Sequence, residues 1–192
     1  MIQEYDDFYF RLADVKEVVP SENKIVSDIG ELYYDYLVIA TGTKTNYFGN
    51  KEIERNSMSM KTIPQSLNIR SFILENFEQA LLADDEQERE NLMNFVLVGG
   101  GPTGVELAGA LAEMKKAILP KDYPDLDIAK MQINLIQSTD RLLNTMTKQS
   151  SEASEAFLKS LGVNIFKNVR VTGYDGHLVT TNTDLSFNTS TV

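Results

Sequence analysis

The stretch NFVLVGGGPTGVELAGALAE, residues 94–113, constrains the fold more than any other part of the chain. Its apolar run at residues 95–98 has the length and composition of a buried strand. Three consecutive glycines follow. After Pro102, which suits the first turn of a helix, apolar residues recur at helical spacing. We therefore predict a core strand that turns through glycines directly into a helix running from about Thr103 to Ile118.

The pattern continues as an alternation of strands and helices over residues 92–168. A second apolar strand is predicted at Gln132–Gln137 and an amphipathic helix at residues 148–161, with Gly162 as its stop. This order implies a parallel sheet with right-handed crossovers. The predicted fold class is α/β: a Rossmann-like parallel-sheet dinucleotide-binding domain, with a strand-rich part before it.

The flanking regions give weaker signals. Phe8, Phe10 and Leu12 alternate as on one face of a strand, and a turn is predicted at residues 28–30. Residues 37–40 are continuously apolar, which predicts a strand buried on both faces and stopped by Thr41 and Gly42. Residues 43–62 appear irregular in sequence, a helix begins near Pro64, and the acidic residues 83–91 suggest a linker or a solvated helix end. A hairpin is predicted around residues 175–176, and a closing strand begins near the last residues.

The glycines have a specific chemical use. Gly99, Gly101 and Gly104 fit the pattern G-x-G-x-x-G. The first permits a tight turn, the second lets the backbone approach a pyrophosphate, and the third lets helix and strand pack closely. The helix N-terminus offers unpaired N–H groups and partial positive charge to the phosphates. Because the strand–turn–helix context is present, we predict dinucleotide binding here, with a turn that serves only packing as the alternative.

The carboxylate that usually completes such a site is missing. Gln137 stands at the end of the second strand, where an acidic residue would bind the adenosine ribose. The inserted residues 118–130 also make the spacing from Gly99 longer than the usual ~20 residues. An amide can hydrogen-bond a ribose but does not repel a 2′-phosphate, and Arg141 is close enough in sequence to meet one. We expect NADH, and the charge pattern leaves NADPH open as an alternative.

Two further residues, Glu106 and His177, have side chains that can take part in chemistry. Glu106 is predicted to lie in the first turn of the helix, where a carboxylate gains modestly from the helix dipole. The alternative hypothesis places it beside a nicotinamide. His177 flanks the predicted hairpin turn and is not expected to be catalytic. We predict no acid, base or nucleophile, since the chemistry of such a site belongs largely to its cofactors.

Composition excludes several classes of site. The 192 residues contain no cysteine and one histidine, so disulfides, a dithiol and the usual zinc sites are not expected. The formal net charge of −10 argues against a nucleic-acid partner, whose phosphates need Lys and Arg. No apolar run reaches the ~18 residues of a membrane span, and the first residues do not form a secretory signal. We expect a cytoplasmic or cytoplasm-facing protein.

Two stretches, YDYLVIATGTKTNYFG at residues 34–49 and FVLVGGGPTGVELAGALAEMKKAILPKDYPDLD at residues 95–127, strongly resemble type II NADH dehydrogenases. Residues 162–176, GVNIFKNVRVTGYDG, are also similar to the family pattern. The resemblance implies a flavoprotein with one Rossmann-like domain for FAD and one for NADH. It further implies hydride transfer from NADH to FAD, reduction of a quinone, and attachment to the cytoplasmic face of a membrane through a C-terminal amphipathic region.

The resemblance also implies residue roles. The residues that would hold the NADH pyrophosphate are Gly99, Gly100, Gly101, Pro102, Thr103 and Gly104. Glu106 would lie near the junction of nicotinamide and flavin. Gln137 would take the ribose position, where many members have Glu. Thr41 and Gly42 would form a turn near FAD.

Two parts of the family pattern are not found. No G-x-G-x-x-G precedes Asp35, and no C-terminal membrane-anchoring segment follows. We interpret the sequence as a fragment: residues 1–45 as part of an FAD domain, 46–91 as a connecting loop and helix, and 92–192 as an NADH-binding domain truncated at its last strand. We expect the purified chain to lack FAD, to be inactive with quinone and to bind NAD(H) weakly at most. The unpaired sheet edge also suggests a homodimer.

Two alternatives stay open. One is the NAD(P)-binding domain of another FAD-dependent reductase, such as a disulfide or ferredoxin reductase, although the lack of cysteine disfavours the thioredoxin-reductase form. The other is a non-catalytic dinucleotide-sensing or interaction module. Comparing quinone, lipoamide and ferredoxin as acceptors separates the reductases, and titration with NADH and NADPH tests the sensor.

Overall fold

The N-terminal part of the chain forms a small antiparallel sheet. The computed structural model describes residues 7–192, and the chain divides into two compact units, Met1–Thr43 and Lys44–Val192. In the first unit, strands β1 (Val15–Val19), β2 (Lys24–Ser27) and β3 (Gly30–Tyr33) pair in the order β1-β2-β3. Gly30 has a φ of +118° at the turn between β2 and β3, so the turn predicted at residues 28–30 is confirmed.

Two predicted strands of this unit are wrong. Phe8, Phe10 and Leu12 lie outside the strands, and each side chain is more than half exposed. Residues 37–40 form no strand either, and Val38 is 84% exposed. A strand buried on both faces needs neighbours above and below its sheet, and within residues 7–43 the three short strands provide none. The apolar run therefore has no strand to pair with inside its own unit.

The second unit is built around a parallel sheet. Its strands are β4 (Asn94–Val98), β5 (Gln132–Gln137) and β6 (Asn164–Lys167), in the order β4-β5-β6. Thr191 adds a parallel bridge to Phe95 on the free side of β4, and the Val96 N–H donates to the Thr191 carbonyl at 3.0 Å. The predicted α/β class with a parallel sheet is confirmed.

Helices occupy the connections of this unit. Those predicted from apolar periodicity agree closely with the observed α2 (Ile63–Leu82), α4 (Pro102–Ala117) and α6 (Lys148–Ser160). The prediction of irregular structure at residues 43–62 is wrong at α1 (Lys51–Asn56), whose first turn is capped by the Asn50 side chain. The remaining helices are α3 (Glu86–Leu92), within the acidic stretch, and the short α5 (Leu119–Asp122).

The core lies between one face of the parallel sheet and helices α2 and α4. Phe77 of α2 is fully buried, with its ring centroid 5.9 Å from that of Phe95 and 5.3 Å from that of Tyr123. Burying a side chain of this size stabilises a fold by roughly 1.5–3 kcal/mol. Burial, together with a hydrogen bond from the Tyr123 hydroxyl to Glu78 at 2.9 Å, raises the pKa of Tyr123 to about 12.

A second antiparallel sheet covers the other face. Strands β7 (Val171–Tyr174), β8 (Leu178–Thr181) and β9 (Ser186–Asn188) pair in sequence order, and the hairpin predicted at residues 175–176 joins the first two. Tyr174 and Val179 pack with Val96 and Ile136, which belong to the parallel sheet. Because successive strand residues face opposite sides, the apolar residues of β4 and β5 serve both layers.

Candidate functional site

The turn between β4 and α4 lies at the carboxyl edge of the parallel sheet. β4 ends at Val98 and α4 begins at Pro102, so residues 99–101 make the whole connection. In open α/β sheets, ligands bind in crevices at this edge. The structure therefore brings the predicted turn residues together at the end of the sheet where a ligand is expected.

Two glycines of this turn are required by the fold itself. Gly99 has a φ of +113°, a conformation that side chains strongly disfavour, and its N–H donates to the Ile136 carbonyl at 2.8 Å. A Cβ on Gly104 would lie 1.9 Å from the Gly99 carbonyl oxygen. Helix and turn therefore approach each other at a distance that only glycine allows at position 104.

Gly100 is held from inside the protein. Its N–H donates to Oε1 of Gln137 at 2.9 Å, and its carbonyl accepts the N–H of Leu143 at 2.7 Å. A Cβ at this position would lie 2.5 Å from Cδ2 of the buried Leu142. Both backbone polar groups of Gly100 are thus engaged, one by the last residue of β5 and one by the loop that follows it.

Gly101 differs from its neighbours. Its φ of −77° is accessible to any residue, and a Cβ built there would meet no atom within 4 Å. Neither the backbone conformation nor the packing requires glycine at this position. The missing side chain instead leaves space on the outer side of the turn.

The start of α4 is also uncapped. Within residues 7–192, the backbone N–H groups of Gly101, Thr103 and Gly104 donate no hydrogen bond, and no side chain caps the helix. Side chains do cap the other helices of six or more residues, α1, α2, α3 and α6. Unpaired N–H groups at a helix N-terminus, with the dipole behind them, suit an anionic group such as phosphate.

The other predicted site residues have different surroundings. The prediction that Glu106 lies in the first turn of the helix is wrong: because α4 begins at Pro102, this exposed residue lies in the second turn, one turn beyond the open N–H groups. Gln137 is buried at the end of β5 and is turned toward Gly100. Thr41 and Gly42 belong to the Met1–Thr43 unit, where both are exposed in a segment without regular structure. Gly42 has a φ of +72°.

Sequence reasoning missed the part played by the loop after β5. Gln137 Nε2 donates to Thr139 Oγ1 at 2.6 Å and to the Arg141 carbonyl at 3.3 Å. The Arg141 guanidinium donates to the Asn144 carbonyl at 2.7 Å. Leu143 has a φ of +46°. A leucine in the sequence does not predict a positive φ, so the role of Leu143 could not be foreseen. The glutamine in place of the usual carboxylate was the one sequence signal that residue 137 has an unusual role.

Comparison with known proteins gives the family. The sequence model described as pyridine nucleotide-disulphide oxidoreductase matches residues 3–192. The chain belongs to this family. It is 34% identical over 173 residues to type II NADH:quinone oxidoreductase Ndh of Mycobacterium tuberculosis, an alignment that covers 88% of this chain and 37% of the relative. It is 37% identical over 151 residues to external alternative NAD(P)H-ubiquinone oxidoreductase B3, mitochondrial, of Arabidopsis thaliana. That alignment covers 78% of this chain and 25% of the relative.

A solved structure agrees with this family membership. NDH2 from Plasmodium falciparum in complex with NADH superposes with a TM-score of 0.77 at 26% identity, covering 93% of this chain and 38% of that one. The chain thus spans well under half the length of the relatives it matches. This family member has no helix within residues 7–192 that is long and apolar enough to cross a membrane. The same residues contain no cluster of three or more side chains able to hold a metal ion.

Proposed function

We propose that the turn at residues 99–104 binds the pyrophosphate of a nicotinamide dinucleotide, and that the chain is the NADH-binding part of an NADH:quinone oxidoreductase. The names of the relatives from M. tuberculosis and A. thaliana support the reaction, and the P. falciparum complex with NADH supports the nucleotide. The glycine turn and the uncapped helix fit the phosphate chemistry.

The observation that carries this proposal is the glycine at position 101. The fold accounts for Gly99, Gly100 and Gly104 through φ or through contacts that a Cβ would violate. It does not account for Gly101, where a Cβ would stand in free space. A ligand that approaches the backbone from that side does account for it, because any side chain would stand between the phosphates and the N–H groups.

The proposal assigns roles only where the residues fit. The free N–H groups of Gly101, Thr103 and Gly104 would donate to the pyrophosphate, while Pro102 has no N–H to offer. Exposed Glu106, on the same helix, would lie near the nicotinamide. Ribose binding by Gln137 is the role that the sequence predicts, and the hydrogen bonds of its side chain favour a different role. NADH is favoured, and NADPH is the alternative to be tested.

The complete reaction, from NADH to a quinone, is proposed for a longer protein built like the relatives. Bound FAD would take a hydride from NADH and pass electrons to a quinone, and Thr41 and Gly42 would approach that FAD. In this scheme residues 1–45 belong to the FAD domain, 46–91 connect the domains and 92–192 form the NADH-binding domain. Homodimerisation, weak binding of NADH by this chain alone and a location at the cytoplasmic face of a membrane stay predictions.

A pair of alanine variants tests the nucleotide site. Gly101→Ala places a methyl group on the outer side of the turn, whereas Gly109→Ala places one on the same helix, 3.8 Å from Leu158 in ordinary contact. We expect titration of NADH, followed by nicotinamide fluorescence, to show saturable binding that Gly101→Ala lowers at least about tenfold, since at least one charge-assisted hydrogen bond is weakened. Gly109→Ala should bind as the wild type does.

The result that would contradict the proposal is equally direct. If Gly101→Ala folds like the wild type and binds NADH equally well, the pyrophosphate does not lie on this turn. Because the chain alone is expected to bind weakly, the titration extends to high nucleotide concentration; if the wild type still shows no saturable binding of NADH or NADPH, the proposed function of this chain is wrong.

The electron acceptor requires a separate experiment. The chain has no cysteine, so these residues supply no dithiol. The intact protein that contains them should oxidise NADH with a ubiquinone analogue as acceptor. Faster turnover with lipoamide or ferredoxin would instead identify another reductase of the same family.

A further inference from the structure

Gln137 has no free hydrogen-bonding group on its side chain. The residue is only 8% exposed. Its Oε1 accepts the Gly100 N–H at 2.9 Å, and its Nε2 donates to Thr139 Oγ1 at 2.6 Å and to the Arg141 carbonyl at 3.3 Å. All of these partners belong to the turn after β4 or to the loop after β5. The amide therefore ties one connection of the sheet to the other.

The same loop holds Gly100 from a second side. Leu143 donates its N–H to the Gly100 carbonyl at 2.7 Å, and it does so with a φ of +46°, a conformation that leucine seldom adopts. Leu142 is fully buried against the position where a Gly100 side chain would be. The middle glycine of the turn is thus held through its N–H, through its carbonyl and by packing.

We infer that Gln137 is a positioning residue, which fixes the glycine turn in its open form instead of contacting the nucleotide. This inference rests on the proposed nucleotide site. Consecutive glycines have the largest backbone freedom of any residues, and a turn that must be ordered during binding costs affinity. A brace on Gly100 removes that cost while the N–H groups of Gly101 and Thr103 stay unpaired.

An amide completes the brace at both of its ends, whereas a carboxylate would complete it only at Gly100. Gln137 accepts at one end and donates at the other, whereas an ionised carboxylate only accepts. Glutamate could still receive the Gly100 N–H, but its second oxygen would face the Arg141 carbonyl without a hydrogen between them. A ribose-binding residue has the opposite preference, because a carboxylate accepts hydrogen bonds from ribose hydroxyls. The two roles therefore predict different effects of the same substitutions.

The test uses Gln137→Met and Gln137→Glu in this chain, with Gln132→Met as the matched control. Gln132 begins β5, and among residues 7–192 its side-chain amide hydrogen-bonds only to the Asn164 side chain and the Lys130 carbonyl, at the far end of the strand. Two quantities are measured: hydrogen exchange of the Gly100 amide without nucleotide, by NMR, and the affinities for NADH and NADPH, by nicotinamide fluorescence.

A positioning role predicts a common loss of affinity. Gln137→Met should accelerate Gly100 exchange and lower both affinities by the same factor, about two- to tenfold, as expected for one lost hydrogen bond. Gln137→Glu should keep Gly100 protected, because the acceptor remains. The Gln132→Met control should leave exchange and both affinities unchanged.

The inference is overturned if Gly100 exchange in Gln137→Met equals that of the wild type. It is also overturned if Gln137→Glu tightens NADH binding and shifts the NADH-to-NADPH affinity ratio about tenfold or more, a difference that a direct ribose contact can produce. If the wild type binds neither nucleotide, the proposed function fails and exchange alone decides: faster exchange in Gln137→Met supports the brace, and unchanged exchange overturns it.

Discussion

The two strand-to-helix connections of the parallel sheet share one topology and differ in what closes them. After β4, residues 99–101 lead at once into α4, whose N-terminus has no side-chain cap. After β5, residues 138–147 form a longer loop that buries Leu142 and Leu143 and ends in Thr147, whose hydroxyl accepts the Ser150 N–H at 3.1 Å. The first connection leaves the N–H groups of Gly101, Thr103 and Gly104 unpaired within residues 7–192, whereas the helix that follows the second connection begins with a side-chain cap.

The difference shows how an open site is supported in a small sheet. Unpaired N–H groups at a helix start must be met by side chains, water or a ligand. Gln137, at the end of β5, and Leu143, in the closed connection, hydrogen-bond to the backbone of Gly100, so these residues support the open connection. The comparison can be tested by substitutions that close the first turn or loosen the second.

The largest effect is expected at Gly104. Gly104→Ala would bring a Cβ to 1.9 Å from the Gly99 carbonyl oxygen, and backbone on both sides must shift to relieve that contact. We expect a loss of about 3 kcal/mol or more in the free energy of unfolding, measured by urea titration. In the control, Gly109→Ala should be neutral or stabilising by up to about 1 kcal/mol. Equal stability of the two variants would mean that helix and turn do not approach this closely.

A smaller loss is expected at Gly100. Gly100→Ala would place a Cβ 2.5 Å from the end of the Leu142 side chain, which can move more easily than backbone. We expect about 1–3 kcal/mol of destabilisation. Leu142→Ala should itself destabilise the protein, because the side chain is fully buried, but in that background Gly100→Ala should cost less. Additive losses in the double-mutant cycle would show that the two connections do not pack together.

An effect of intermediate size on stability is expected at Thr147, which caps the helix after the closed connection. Thr147→Ala removes the hydroxyl that accepts the Ser150 N–H, and we expect a loss of about 1 kcal/mol in the free energy of unfolding. NADH affinity should stay at the wild-type value, since in the described part of the chain the Thr147 hydroxyl hydrogen-bonds only with Ser150. If NADH affinity also fell, the nucleotide would lie on the connection after β5 and not on the connection after β4.

The smallest effect on stability is expected where the open helix is given a cap. Gly101→Asp supplies a side-chain acceptor and a negative charge at the start of α4, which should change the free energy of unfolding by less than about 1 kcal/mol, in the stabilising direction. NADH binding should be lost, because the carboxylate would occupy and repel the phosphate position. Retained binding with a stabilised helix would separate the nucleotide site from this turn.

Elements that are specified by residues close together in sequence were predicted correctly, and elements that depend on distant neighbours were not. Strand β5 and the ends of α4 and α6 were predicted to within about one residue, because apolar periodicity and Gly162 mark them locally. The buried strand expected at residues 37–40 was wrong, since burial on two faces depends on neighbours that the run itself does not specify. Helix α1 was missed because it is short and depends on a cap at Asn50.

The sequence by itself determined that a buried strand turns through glycines into a helix, because period, glycine and proline act over a few residues. Only the tertiary structure decided which glycine does what. Gly99 satisfies a positive φ, Gly104 avoids a clash, Gly100 receives Gln137 and Leu143, and Gly101 has free space around it. These distinctions arise from contacts between residues far apart in sequence, where one side chain excludes or satisfies another, and such contacts exist only once the chain is folded.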